Sequence, residues 1–194
     1  MRSMKTGLVL EGGGVRGIYT AGVLDVFLEE GMEFDGVIGV SAGAIHGCSY
    51  LSKQKGRSIR YFKKIHGAKY LDGGCADSVP VHAFRRMGYK RNVVVLTKEA
   101  GYRKKPEAAL LTKLKYRKYP KFEKALLNRA EDYNLCMDEI LEMEKLGEVF
   151  LIQPSVPLEV GRTETDPDKI QRAYDQGVAD ARALLGALKE WLHP

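Results

Sequence analysis

The stretch that most constrains this chain is Phe34–Leu51, FDGVIGVSAGAIHGCSYL. An apolar, β-rich run, Val37-Ile38-Gly39-Val40, leads into Ser41, and a helix-like run follows. Ser41 is the centre of Gly39-Val40-Ser41-Ala42-Gly43, a G-x-S-x-G pentapeptide. A sharp strand-to-helix turn of this kind holds a serine exposed at the top of a sheet. The positions flanking the serine must be small, because side chains there would collide across the turn. The helix that begins just after the serine directs free N–H groups and positive partial charge toward the reacting centre. The bland reading of the same residues is an ordinary βα turn with a serine N-cap.

A second glycine turn precedes it. Gly7-Leu8-Val9-Leu10 reads as a short buried strand that runs into Glu11-Gly12-Gly13-Gly14-Val15-Arg16-Gly17. An apolar helix pattern follows through Ile18, Gly22, Val23, Val26 and Phe27 and ends near Gly31. Consecutive glycines leave backbone N–H groups bare beside an anion or oxyanion. With Phe34–Val40 as the second strand, this is a βαβ unit with parallel strands. Both glycine loops then open at the carboxyl ends of neighbouring strands, where open α/β sheets carry their sites. Gly12, Gly14 and Gly17 also fit G-x-G-x-x-G, the dinucleotide fingerprint. That reading needs an acid at the end of the second strand, and the acid here, Asp35, stands at its start.

The length of 194 residues fits a single domain with a proper core, and 44% hydrophobic with 29% charged residues is ordinary for a globular protein. Three cysteines, Cys48, Cys75 and Cys136, are odd in number and far apart, which argues against a disulfide framework or a zinc site. Free thiols and a cytoplasmic location are the expectation. No run approaches membrane-spanning length. The net charge of +6 favours anionic partners without deciding the fold.

Further along, Ala42 to about Lys64 reads as a long helix, interruptible at Gly56. It carries His46, better read as packed or solvated than as a base for Ser41, because the helix leads away from the serine. His66-Gly67 resembles a hairpin turn and Lys69–Leu71 a strand, with Asp72 at its end before Gly73-Gly74. In isolation Asp-Gly-Gly is a plain turn. Ser78 is placed to cap a helix with Pro80 in its first turn, and Asn92–Thr97 is the clearest buried strand. From Gly101 to Lys121 the chain is strongly basic: Arg103, Lys104, Lys105, Lys113, Lys115, Arg117, Lys118 and Lys121, with an apolar stripe at Leu110, Leu111 and Leu114. A solvated helix face is the ordinary reading; a transient, peripheral contact with an anionic membrane surface is the sharper one. No RNA-binding signature accompanies the basic run, and no nucleic-acid partner is expected. Helices are expected over Glu123–Ala130 and Leu135–Leu146, a strand over Glu148–Pro154, and a last helix from the Asp166-Pro167 cap with an apolar face from Ile170 to Leu188.

Three motifs stand in order: Gly12-Gly13-Gly14-Val15-Arg16-Gly17, Gly39-Val40-Ser41-Ala42-Gly43 and Asp72-Gly73-Gly74. Together they resemble the patatin-like phospholipases. The resemblance covers Thr6 to about Arg57 and Lys69 to about Thr97, and more loosely Arg103–Trp191. It implies a three-layer α/β fold with a mainly parallel central sheet, in one domain spanning 1–194. The glycine loop and elbow fall in 1–64, the Asp-Gly-Gly segment in 65–100 and the basic helical and C-terminal part in 101–194. It also implies a serine–aspartate dyad: Ser41 attacks an ester carbonyl of a lipid and Asp72 serves as its base. The oxyanion hole would come from backbone N–H groups of Gly13, Gly14, Val15 and Arg16, helped by Ala42. Gly12, Gly17, Gly39, Gly43, Gly73 and Gly74 would support the motifs, and neither a metal nor another cofactor is implied.

The chain departs from the family in one respect. Asp72 follows Ser41 by only 31 positions, whereas family members carry a much longer middle with part of the acyl-binding wall. The expectation is therefore a patatin-like fold whose middle segment is missing. A catalytically impaired scaffold or lipid-binding protein is the competing reading, and a nucleotide-binding protein a third.

Overall fold

The structure, a computed structural model, describes residues 5–62, 78–106, 108–109, 112, 116–118 and 120–193. Its centre is a parallel sheet of four strands: β1 (Thr6–Leu10), β2 (Gly36–Gly39), β3 (Arg91–Val95) and β4 (Val149–Ile152). The spatial order is β2-β1-β3-β4. At its upper end Leu10 pairs with Gly39 on one side and Val95 on the other, and Val95 pairs with Ile152. The strands are short apolar runs, as burial on both faces requires.

Alternation along the strands divides the core into two layers. Leu8, Leu10, Val93, Val95 and Ile152 face one way and meet Tyr19, Val23 and Phe27 of α1 (Ile18–Glu29) and Ala181 and Leu188 of α6 (Pro167–Leu192). Val9, Val94 and Leu151 face the other way. There they meet Val81 and Phe84 of α4 (Val81–Arg86) and Tyr133, Met137 and Ile140 of α5 (Pro120–Lys145). This is the helix–sheet–helix layering expected of an α/β fold.

The strands and the first and last helices fall where the sequence places them. Asp166 accepts from the Asp168 and Lys169 backbone N–H groups, so the expected cap of α6 is made. Three expectations need correction. The run from Ala42 splits into α2 (Ala42–Leu51) and α3 (Arg57–Phe62), because Lys53 (φ 54°) and Gly56 (φ 69°) turn the chain between them. The two helices expected over 123–146 are one, α5. The residues between them include neither glycine nor proline, and buried Tyr133 continues the stripe Leu126, Ala130, Met137, Ile140. Ser78 does not cap α4: the cap position is Pro80, with no side-chain cap bond. The expected turn at His66-Gly67, the strand Lys69–Leu71 and the motif Asp72-Gly73-Gly74 lie outside the described residues.

α1 and α6 pack with almost no space between their backbones. A Cβ on Gly22 would run into the Tyr174 carbonyl oxygen, and one on Gly177 into that of Tyr19. The Tyr174 hydroxyl donates to Asp25 Oδ2 at 2.6 Å, and the Gly56 N–H donates to the same oxygen at 2.9 Å. Buried Asp25 thus ties α1, α6 and the α2–α3 turn together.

Candidate active site

Ser41 sits where β2 gives way to α2, with φ 56° and ψ −123°. Apart from Lys53 in an exposed turn, it is the one non-glycine residue with positive φ among the described residues. A side chain held in this region stores strain of order 1–3 kcal/mol, which its surroundings must enforce. They do so by close packing. A Cβ on Gly39 would lie 2.6 Å from the Gly43 carbonyl carbon, and one on Gly43 would lie 2.6 Å from the Leu10 carbonyl oxygen. The turn can press against the end of β1 only with glycine on both sides of the serine. Ser41 makes no side-chain cap bond to α2, so the N-cap reading does not hold.

The glycine loop runs directly alongside. A Cβ on Gly12 would lie 3.3 Å from Ser41 Cβ and 3.0 Å from the Val40 carbonyl oxygen. The Gly12 N–H donates to the Ser78 carbonyl (3.1 Å) and that of Val15 to the Arg162 carbonyl (3.2 Å). Gly14 turns with φ 59°, facing the Arg162 carbonyl, and opens the 3₁₀ turn Gly14–Gly17 that leads into α1. Gly17 packs on Ala42 and His46. The two loops and Ser41 are therefore brought together at one end of the sheet. Asp72, Gly73 and Gly74 lie outside the described residues.

His46 is buried, and its Nδ1 is 2.9 Å from Ser58 Oγ. Burial lowers its pKa to about 4, so it is a neutral packing residue at ordinary pH. Asp35 accepts from the Thr6 N–H at 2.8 Å, at the strand ends remote from the glycine loops. It is thus not available to a ribose at the loop, and the dinucleotide reading loses its required acid.

Sequence reasoning passed over the residue that follows β1. Glu11 is 3% exposed. Its Oε2 accepts from the Thr97 N–H (2.5 Å) and hydroxyl (3.0 Å), and its Oε1 from the Tyr133 hydroxyl (3.2 Å). Burial raises its pKa, against the opposing pull of these bonds and of Arg16 and Lys104. The carboxyl joins the glycine loop to the end of β3 and to α5. An acid placed between an apolar strand and a glycine run is the visible signal; its partners, 86 and 122 residues away, are not.

Residues 8–62 match the family model for patatin-like phospholipase, and residues 119–193 that of a domain of unknown function (DUF6363). No curated protein matches the chain. The first match spans β1 to α3 with both glycine loops, and the second spans α5, β4 and α6. Over residues 8–62 the chain is similar to the patatin-like phospholipases, and its parallel sheet with flanking helices is consistent with a patatin-like fold. No helix among the described residues is long and apolar enough to cross a membrane, and no group of three or more His, Cys, Asp or Glu there is placed to hold a metal ion.

Proposed function

We propose that this chain is a serine acyl hydrolase that cleaves carboxylic esters of lipids, with Ser41 as nucleophile and Asp72 as its base. The observation that carries the reading is the backbone of Ser41: a serine kept in a strained turn, with no capping duty, at the start of a helix. Ser41 Oγ attacks the ester carbonyl carbon while Asp72 takes the hydroxyl proton. The negative charge on the former carbonyl oxygen is met by backbone N–H groups. Those of Gly13, Gly14 and Arg16 are the candidates in the glycine loop, since Val15 N–H already donates to the Arg162 carbonyl, and Ala42 N–H stands in the first turn of α2. Collapse of the tetrahedral intermediate expels the alcohol, which receives the proton from Asp72, and water then hydrolyses the acyl-enzyme by the same route.

Hydrolysis of a p-nitrophenyl acyl ester and of a lysophospholipid tests this. Ser41→Ala and Asp72→Asn should each lower kcat/KM by roughly 10⁴-fold. Turnover unchanged in Ser41→Ala contradicts the reading. The spacing of 31 positions between Ser41 and Asp72 favours the impaired-scaffold alternative, which a folded wild-type chain with no turnover on either ester would support.

A further inference from the structure

Glu11 and Gly12 border a cavity of about 400 Å³ whose lining does not include Ser41. Seven of its thirteen lining residues are Arg or Lys, and one is acidic. The charges converge from separate segments: Arg16 from the glycine loop, Lys104 from the loop after β3, Arg129 from α5 and Arg162 from the segment before α6. Such convergence differs from a solvated basic helix face, where like charges fan outward. The acid, Glu11, is already engaged by Thr97 and Tyr133, and its burial favours the neutral form. One carboxyl among seven cations leaves the wall strongly positive. Lys104 lies over the Tyr133 ring (3.8 Å) and donates to Ser78 Oγ (3.3 Å), which fixes its ammonium in the wall. Burial and the neighbouring Arg129, Arg162 and Arg16 depress its pKa to about 8, the signature of cations crowded around one space. Arg16 Nε is buried with no hydrogen-bond partner among the described residues. An unsatisfied donor of this kind is costly, and an anion would answer it.

We propose that this cavity binds a phosphate group in its dianionic, monoester form, held by Arg16, Lys104, Arg129 and Arg162. Guanidinium forks match phosphate oxygens in pairs, and a lysine adds a point charge. A phosphomonoester offers two negative charges and several acceptor oxygens, whereas a zwitterionic head group brings a cation into a wall that already has seven. The cavity is larger than a phosphate ion, so the phosphate belongs to a larger molecule or shares the space with water. That the phosphate is a lipid head group rests on the acyl-hydrolase reading; that the cavity takes phosphate does not.

The test is calorimetric titration of folded Ser41→Ala protein with inorganic phosphate at pH 7.5. In parallel, co-sedimentation compares phosphatidylcholine vesicles with vesicles containing one-fifth phosphatidic acid. Saturable phosphate binding is expected, weakened at least tenfold in Arg129→Gln/Arg162→Gln. The rim variant Lys98→Gln/Lys105→Gln should bind several-fold more weakly, and it carries the test if the first variant does not fold. Binding to the phosphatidic acid vesicles assigns the phosphate to a lipid head group. Phosphate binding without vesicle binding assigns it to a soluble molecule and leaves the site standing. No saturable phosphate binding, or equal binding by the folded variants, overturns the proposal. Because the titrated protein lacks Ser41, its outcome is independent of ester turnover, and either claim can fail alone.

Discussion

Ser41 carries the site because of its backbone as much as its hydroxyl. A residue with a Cβ is strained at φ 56°, ψ −123°, and glycine is not. Ser41→Gly should therefore stabilise the fold by about 1 kcal/mol net of the greater freedom of the unfolded chain, while removing the nucleophile. Ser41→Ala, which keeps the Cβ, should leave stability nearly unchanged. Thermal melts of both variants check this, and a destabilised Ser41→Gly would mean the turn is relaxed. His46 gives a second expectation. Its folded pKa, about 4, lies below the ordinary 6.5. The unfolded chain then takes up a proton that the folded chain refuses. This contribution is complete above pH 6.5 and is lost as pH falls toward 4, at roughly 1.4 kcal/mol per unit. His46→Gln should remove that slope. Urea unfolding of both proteins at pH 7.5 and pH 5 measures it, and parallel slopes would contradict the buried neutral imidazole. The packing role of His46 and the elbow itself were legible in the sequence. Glu11 was not, because its environment is made by Thr97 and Tyr133, which only folding brings to it.

At the scale of elements, the site rests on two βα turns side by side. Strand identity and order along the chain could be read from short apolar runs. The α2–α3 break was less visible, since only Gly56 marks it and Lys53 adopts its left-handed turn against propensity. The unbroken α5 was also hidden: its buried stripe includes a tyrosine and two methionines, while Leu135 and Leu141 point outward. At their closest point α6 and α1 meet backbone to backbone, through Gly22 and Gly177. Gly22→Ala or Gly177→Ala should separate the two helices and destabilise by about 2–3 kcal/mol, lowering the melting temperature by about 5–10 °C. Circular dichroism melts check it; variants as stable as wild type would mean that the helices do not touch there.

For the whole molecule, the two matched segments are parts of one sheet. The segment with the elbow supplies β1 and β2, and that of the domain of unknown function supplies β4 beside β3. The same C-terminal half provides Tyr133, Arg129 and Arg162, which face the glycine loop across the cavity. The basic run that reads in sequence as a surface feature thus sends Arg103, Lys104 and Lys105 into the wall of a pocket. No periodicity could reveal this, because the other cations come from three distant segments. The central claim is that the folded chain activates Ser41. Intact-mass spectrometry after treatment with a fluorophosphonate probe asks that directly. One adduct per chain, absent in Ser41→Ala, is the expected result. A folded wild-type chain that takes up no probe, or an adduct that persists in Ser41→Ala, would contradict it.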